Sequence, residues 1–335
     1  MSACCIVTTH PFWSEPLGCG TLMRSRYKLL QSLYETVYVI FVTETQRNCP
    51  LPGLTVHSVD ALTPFQISSI VRFTEKNGVS YSHFSYIALS DVAQKLKCRT
   101  GVEIHDVLHV REQQFKAYGY SSTVSITLEE ETNHLKRFDC IFSISIEETD
   151  YLQEIGLHCH YLPPTVAFQP TPYNSKTVQL GIIGSAAIPN IDGLEQLAKH
   201  SKFSCNLVIS GALALSDSAK NMDTDRKTLK GIVANVIEHY EMCQISIAPI
   251  RFGAGLKIKV LESLSFGRPC ISTSHAASGF PIGIDQVTVI QDEFSCWNDD
   301  AVAEAQKISQ KRLRDYCLEN FSTESARKAF QTAMT

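Results

Sequence analysis

The chain has 335 residues, 44% of them hydrophobic and 19% charged, with a formal net charge of -4 at pH 7. This is the profile of a soluble globular protein with room for two ordinary domains, and it carries no basic excess to make nucleic acid a main partner. No apolar run approaches the ~20 residues that span a bilayer. The N-terminal MSACCIVTTHPFW lacks the basic region and long apolar core of a signal peptide, so a cytoplasmic location is expected.

Apolar strand-like runs alternate with helical spacing, the pattern of an α/β chain with parallel sheets. In the first half, Cys4–Thr8, Val37–Val42, Leu54–Val59, Gly101–Ile104 and Cys140–Ser143 predict strands. Helices are expected at Leu22–Tyr34, Pro64–Asn77, Ile87–Lys97, Thr127–Phe138 and Ile146–Ile155, the last with Ser145 and Glu148 spaced as a capping box. The segment Leu162–Thr177 holds four prolines and few helix formers, which marks a linker over 166–177 after a first domain over 1–165.

A second domain over 178–322 restarts with a strand at Val178–Ile183, a helix near Asp192–Lys199 and a strand at Asn206–Ile209. Val287–Ile290 is a further short strand, and a helix at Thr323–Met334, within a tail of about 323–335, is placed to pack back on the first domain. The twelve cysteines are scattered without a C-x-x-C pair, which favours buried, reduced thiols over a zinc site. In His158-Cys159-His160 strand alternation would split the thiol from the imidazoles. Asp223-Thr224-Asp225 lies in a polar stretch with no apolar strand before it and reads as a surface loop. No bound metal is expected.

The densest signal is Ile245–Phe280, ISIAPIRFGAGLKIKVLESLSFGRPCISTSHAASGF. It reads as strand, Gly-rich turn bracketed by Gly253 and Gly255, helix over Leu256–Phe266, and strand at Cys270–Thr273. Lys257 and Lys259 fall in the helix's first turn, the wrong end of its dipole for a cation, at a cost of ~0.3–1 kcal/mol. A phosphate held by the turn's N–H groups would reverse that cost. Glu262, seven residues after Gly255, falls on the same helix face, where a carboxylate can accept hydrogen bonds from ribose hydroxyls. The residues alone fit equally well a Lys259–Glu262 pair on a solvated face.

The string PIRFGAGLKIKVLESLSFGRPCIST closely resembles the signature P-x-R-F-G-x-G-x-K-x-K-x-x-E-x-x-x-x-G-x-P of family 4-like retaining glycosyltransferases (glycosyl transferases group 1). The resemblance implies the GT-B fold, two Rossmann-like domains with parallel sheets facing across a cleft. It implies that Gly253, Gly255, Leu256, Lys257, Lys259 and Glu262, with Arg251, bind a nucleotide-diphosphate sugar. Gly18 and Gly20, in a Gly-rich turn after the first strand, are implied to face donor sugar and phosphates, with Arg24 and Arg26 following. His105, followed by Asp106 at a strand end, is implied to contact the transferred sugar, and His109 and Arg111 lie in the next loop. Gly184, Ser185 and Asn190, in IIGSAAIPNIDGL, resemble the family's first turn of the second domain, where Asn190 or Asp192 is otherwise a helix N-cap. Gly231 resembles the loop that meets the base. One departure is Ala254, where many members carry a sugar-contacting Glu.

The implied activity is metal-independent transfer of a sugar from a UDP- or GDP-linked donor to a glycan, lipid-linked or other hydroxyl acceptor, with retention at the anomeric carbon. His105, Lys257 and Glu262 are its expected catalytic group. No separate cofactor and no nucleic-acid partner are expected; peripheral contact with the cytoplasmic face of a membrane is a further expectation for lipid-linked acceptors, but the basic clusters Arg24–Lys28 and Lys95–Arg99 are too small to predict stable binding. Two other readings stand beside it: a nucleotide-sugar epimerase of the same fold, and a noncatalytic subunit that binds a partner transferase, which Ala254 favours.

Overall fold

The computed structural model of the chain describes residues 2–14, 18–122, 124–173 and 179–335. The chain divides into two compact units. The first comprises Met1–His109, Val124–Thr165 and Thr323–Thr335; the second comprises Val110–Thr123 and Val166–Ser322.

The first unit is built on a parallel sheet. Its strands are β1 (Ala3–Thr8), β2 (Thr36–Thr43), β3 (Gly53–His57), β4 (Val79–Ser85), β5 (Arg99–Ile104), β6 (Cys140–Ser143) and β7 (Cys159–Tyr161), in the spatial order β3-β2-β1-β4-β5-β6-β7. All six residues of β1 are buried, as expected of a central parallel strand covered on both faces. β4, next to β1, has no counterpart in the expected strands. Its sequence VSYSHFS looks polar, yet Tyr81 and His83 are buried because the tyrosine hydroxyl lies 2.9 Å from His83 Nδ1 and His83 Nε2 lies 3.2 Å from Glu103. Gly101 makes room for this: a Cβ there would stand 2.3 Å from the Tyr81 hydroxyl.

The helix Thr323–Met334 belongs to this unit. Phe330 packs edge-on to Tyr81 at 5.4 Å and stacks on Phe142 at 5.7 Å, and Arg99 donates to the carbonyls of Ala333 and Met334. The helix expected at Ile87–Lys97 is instead a 3-10 turn, Ile87–Leu89, followed by one short helix, Ser90–Ala93. Ser145 does cap the helix Ile146–Glu154 through Glu148 N, but Glu148 sends its Oε1 to Val107 N at 3.0 Å.

The second unit repeats the plan with β8 (Gln179–Ile183), β9 (Asn206–Ser210), β10 (Lys227–Gly231), β11 (Ile245–Ala248), β12 (Cys270–Ser272) and β13 (Thr288–Ile290), in the order β10-β9-β8-β11-β12-β13, every pairing parallel. Its core joins Leu180, Ile182, Ile209, Ile247 and Ile271 to Trp297 and the helix Asp299–Gln306. Gly193 permits the helix Ile188–His200 to lie close on β11; a Cβ there would meet the Pro249 carbonyl at 2.0 Å.

Residues 110–123, which the sequence reading left in the first domain, belong with the second unit. The cause is Phe252, on which Phe115, Tyr118 and Tyr120 converge with ring centroids at 5.2, 4.5 and 5.4 Å. In the expected linker, Val166, Gln169 and Thr171 donate backbone bonds to Phe321, Ser265 and Phe266 of the second unit; residues 174–178 lie outside the described ones. Among the described residues no helix is long and apolar enough to cross a membrane.

Candidate functional site

Both sheets reverse their strand order beside the first strand, between β1 and β4 and between β8 and β11. In open parallel sheets ligands bind outside the carboxyl ends of the strands at such a reversal.

In the second unit this edge collects the signature residues. Gly184 follows β8, the turn Gly253–Gly255 follows β11, and Gly253 and Gly255 hold φ of 116 and 71°, the left-handed region that glycine adopts without strain. The helix starts at Ile258, two residues later than expected, with Lys257 as its N-cap. The Lys257 ammonium donates to the carbonyls of Ala254 at 3.0 Å and Gly255 at 2.7 Å, which offsets its unfavourable place on the dipole and braces the turn. Lys259 reaches the other side of the reversal and donates to Asn190 Oδ1 at 2.5 Å, while Asn190 Nδ2 donates to the Ser185 carbonyl at 2.9 Å.

Gly184 leaves room for that bridge: a Cβ there would stand 2.9 Å from Asn190 Nδ2 and 3.1 Å from Lys259 Nζ. The Lys259 ammonium is surrounded by protein although the residue keeps some exposure. Burial, with the Lys257 charge added, lowers its pKa to about 8. Glu262 is buried one turn deeper in the same helix, and its negative charge acts on both Lys259 and Tyr240. Leu256 is buried beneath the turn.

Two expectations change here, and one residue is added. Arg251, expected to neutralise a diphosphate, donates from Nε and Nη2 to both oxygens of Asp192 at 2.8 and 2.6 Å and lies 5.0 Å over the Tyr118 ring, so its charge is already balanced. Neither Asn190 nor Asp192 is an N-cap; the cap of Ile188–His200 is Ala187, and both residues lie inside the helix. His275, missed in the sequence, flanks the Gly253 turn. Its Nε2 is buried without a hydrogen-bond partner among the described residues, and burial and the Lys257 charge lower its pKa to about 4, so it is neutral. Its signal was position alone: directly after the Thr273-Ser274 pair that follows β12.

In the first unit, Gly18-Cys19-Gly20 is not a turn before a helix at Leu22. Gly18, at φ 58°, is the N-cap of the helix Cys19–Gln31, and Gly20 is buried within it. Arg24 is taken by the Phe12 carbonyl at 2.6 Å and Thr21 Oγ1 at 3.0 Å. Arg26 is buried against Glu103 of β5, Nε to Oε2 2.5 Å. His109 is buried between Glu131 and Tyr151, at 2.6 and 2.7 Å, and Arg111 covers Phe115 at 5.5 Å.

His105 does stand at the end of β5. Its Nε2 is 3.4 Å from Glu103 Oε1, and its ring is 4.6 Å from that of Tyr86. Burial alone would lower its pKa, but Cys19 and Glu103 raise it to about 9. Burial likewise opposes the charge on Glu103, yet Arg26, His105 and His83 hold its carboxyl well below the usual range. Glu103, Cys19 and Tyr86 were missed in the sequence. Glu103 had a signal, since it alternates with His105 onto one face of a buried strand; the other two had none. Asp223 and Asp225 are exposed between the helix Asp217–Asn221 and β10, and among the described residues no group of His, Cys, Asp or Glu could hold a metal ion.

Residues 179–310 match the family model described as glycosyl transferases group 1. This segment is similar to the glycosyl transferases group 1 family. It contains every signature residue from Gly184 to Glu262. No curated protein matches the chain. Among solved structures, HepE of Anabaena in complex with UDP is similar over 100% of this chain and 99% of that one, at 10% identity and TM-score 0.71. A glycosyltransferase from Rickettsia africae is similar over 98% and 97%, at 14% identity and TM-score 0.69. The apo form of the lipopolysaccharide outer core galactosyltransferase WaaB is similar over 100% and 99%, at 11% identity and TM-score 0.67. These likenesses establish the GT-B fold for the chain.

Proposed function

We propose that the protein transfers a sugar from a nucleoside-diphosphate donor to a hydroxyl acceptor, without a metal ion and with retention at the anomeric carbon. The observation that carries this reading is the convergence of Lys257, Lys259 and the Gly253–Gly255 backbone at the carboxyl edge of the second unit, above the buried Glu262. Two ammoniums and the N–H groups of a helix start are fixed before any ligand arrives. Such preorganised positive potential stabilises the charge that grows on a departing diphosphate.

Glu262 accepts the ribose hydroxyls. In the transfer, the bond from the anomeric carbon to the phosphate oxygen breaks and a bond to the acceptor oxygen forms. The acceptor proton passes to an oxygen of the departing diphosphate, so no separate base is required. Gly18, Gly20 and His105 are proposed to orient the transferred sugar. Asn190 and Lys259 tie the β8 and β11 sides of the second unit's edge into one anion site.

The first unit offers an acceptor site of its own: a cavity of about 440 Å³ past the carboxyl ends of β1, β2 and β3, lined in part by Phe41, Thr43, Glu44, Asp60, Leu62 and Asp91. Three carboxylates, Glu44, Asp60 and Asp91, outnumber the one cation of the lining, Arg47, around an apolar floor, which suits the hydroxyls and ring faces of a glycan better than an anionic headgroup. A larger space of about 950 Å³ in the second unit borders residues 168–173 and Arg268. It lies at the amino ends of β11 and β12, away from the signature residues, and Arg268 is occupied there by Thr171, Pro172 and Tyr240.

HepE has been solved with UDP and with UDP-glucose, which makes UDP the first nucleotide to try. Thermal unfolding with UDP, GDP, ADP and CMP, for the wild type and Glu262→Ala, tests the reading. A ligand at about 100 times its Kd adds ~2.7 kcal/mol. Stabilisation by one diphosphate that is lost in the variant supports the site. No shift with any of them removes it. Stabilisation without turnover of UDP- or GDP-linked sugars leaves a nucleotide-binding subunit, and epimerisation of the donor without transfer leaves the epimerase.

A further inference from the structure

Cys19 has a setting unlike that of the other cysteines. It is the first residue of the helix Cys19–Gln31, whose N-cap is a glycine with no side-chain oxygen to occupy the first-turn N–H groups. A helix start of this kind favours a negative sulfur. Its Sγ lies 3.3 Å from the Tyr86 hydroxyl, and the Tyr86 ring packs 4.6 Å from that of His105.

Tyr86 is held in this place at a backbone cost. Its φ of 66° and ψ of 170° belong to a region that is essentially glycine's, and its N–H is anchored to the Glu103 carbonyl at 3.0 Å. His105 is 4% exposed, and no hydrogen-bond partner reaches its Nδ1 among the described residues. Behind it Arg26 and Glu103 already form a balanced pair. An imidazolium at His105 therefore balances a thiolate at Cys19.

We propose that Cys19 is a nucleophilic thiolate and the position at which soft electrophiles and peroxides modify this protein. The charged groups around it agree. Burial would raise the thiol's pKa, but the hydrogen bonds and charge of His105, with the Tyr86 hydroxyl, outweigh it and lower it; Asp106 acts in the opposite sense. His83, on the far side of Glu103, is pushed down by burial and adds no charge at neutral pH, while His10 packs on Tyr86 at 5.6 Å. By contrast, burial pushes Cys4, Cys159, Cys243, Cys270 and Cys317 up to about 12, and raises the partly exposed Cys49, Cys98 and Cys205 as well.

With an alkyl iodide, the sulfur takes the carbon and iodide leaves with the bonding pair. With hydrogen peroxide, an S–O bond forms as the O–O bond breaks, and the sulfur is oxidised to a sulfenic acid. The leaving hydroxide, reduced from peroxide, takes the His105 proton and departs as water. The added group lies against His105, so modification should abolish turnover while leaving nucleotide binding in place. That consequence rests on the proposed sugar transfer; the reactivity does not.

The test uses the full chain with limiting iodoacetamide between pH 6.5 and 8.5, each cysteine followed by peptide mass spectrometry. Cys296, the exposed cysteine, is the internal reference. An ordinary thiol is only about 1% ionised two units below its pKa of ~8.5, so its rate climbs steeply with pH. Cys19 is expected to react at least tenfold faster than Cys296 at pH 6.5, with a shallower pH profile. Tyr86→Phe should slow Cys19 severalfold and leave Cys296 unchanged, and dimedone should trap a sulfenic acid at Cys19 after peroxide. A Cys19 rate below that of Cys296 at pH 6.5, or a Cys19 profile as steep as that of Cys296, overturns the proposal whether or not the variant folds.

Discussion

The two units share a strand order and a reversal point but finish their carboxyl edges in opposite ways. The second unit's edge is glycine turns and lysines, with an ammonium left largely to a neutral amide, Asn190. The first unit's edge is turned inward: Arg26, Glu103, His83, His105, Cys19 and Tyr86 are linked at 2.5 to 3.4 Å in the contacts Arg26–Glu103, His83–Glu103, His105–Glu103 and Cys19–Tyr86. One fold plan therefore supports two electrostatic designs, an edge holding positive potential in reserve and an edge whose charges are spent internally. The first suits capture of an anion. The second suits holding a neutral group in a fixed orientation.

The comparison is broken most forcefully from the first unit. Glu103→Ala leaves the Arg26 guanidinium buried without its carboxylate, and removing one member of such a pair costs roughly 3–5 kcal/mol. Chemical denaturation should show that loss, whereas Glu262→Ala, at the open edge, should cost much less. Equal losses would mean that both edges are structural. For function the order reverses. Glu262→Ala and Lys257→Ala are each expected to cut turnover tenfold or more, about 1.4 kcal/mol, and to remove the stabilisation given by UDP or GDP. Unchanged turnover in both would sink the site assignment. A smaller effect is expected at Gly184→Ala, whose Cβ must displace the Asn190–Lys259 bridge by a few tenths of an ångström; nucleotide affinity should fall severalfold with little change in unfolding temperature.

How far the sequence revealed these edges follows from where their partners lie. The second unit's edge is compressed into one continuous string, so Gly253, Lys257, Lys259 and Glu262 were all legible, as was the helix Thr323–Met334 at its observed bounds. What adds to that edge from a distance, Asn190 as a lysine acceptor and His275 as a neutral neighbour, was not. The first unit's edge is assembled across 77 residues between Arg26 and Glu103. Its central strand, β4, hides because Tyr81 and His83 look solvated until Glu103 is placed beside them. The helix Leu108–Ala117 hides for a related reason: HVREQQFK has no apolar stripe, and its place depends on Phe115 finding Phe252. Arg24, Arg26 and Arg251 drew attention as cations, but their charge is absorbed by Phe12 and Thr21, Glu103 and Asp192, and local pattern carries no information about such distant acceptors.

The finest test of the contrast is Lys259, because its pKa measures how much positive potential the second unit keeps in reserve. Burial lowers it from 10.5 to about 8. Below pH 8 the lysine is charged both folded and unfolded, and the folded state bears the desolvation cost. Between pH 8 and 10.5 the unfolded chain binds more protons than the folded one, so this residue's contribution to stability rises with pH and the cost disappears. Lys259→Met, which has no charge to bury, should therefore be more stable than the wild type at pH 7. A gain of roughly 1 kcal/mol would raise the midpoint by about 2–4 °C for a domain of 150–250 residues. The gap between variant and wild type should close as the pH passes from 8 to 10.5, a comparison that cancels the other groups titrating there. Bound diphosphate should act the other way: it favours the ammonium, so UDP or GDP binding should take up a proton near pH 8 and weaken above it in the wild type, and be weak at every pH in the variant. A Lys259→Met protein less stable than the wild type at pH 7 would show that the bridge to Asn190 holds the fold together, and that the second unit's edge, like the first, has already spent its charge.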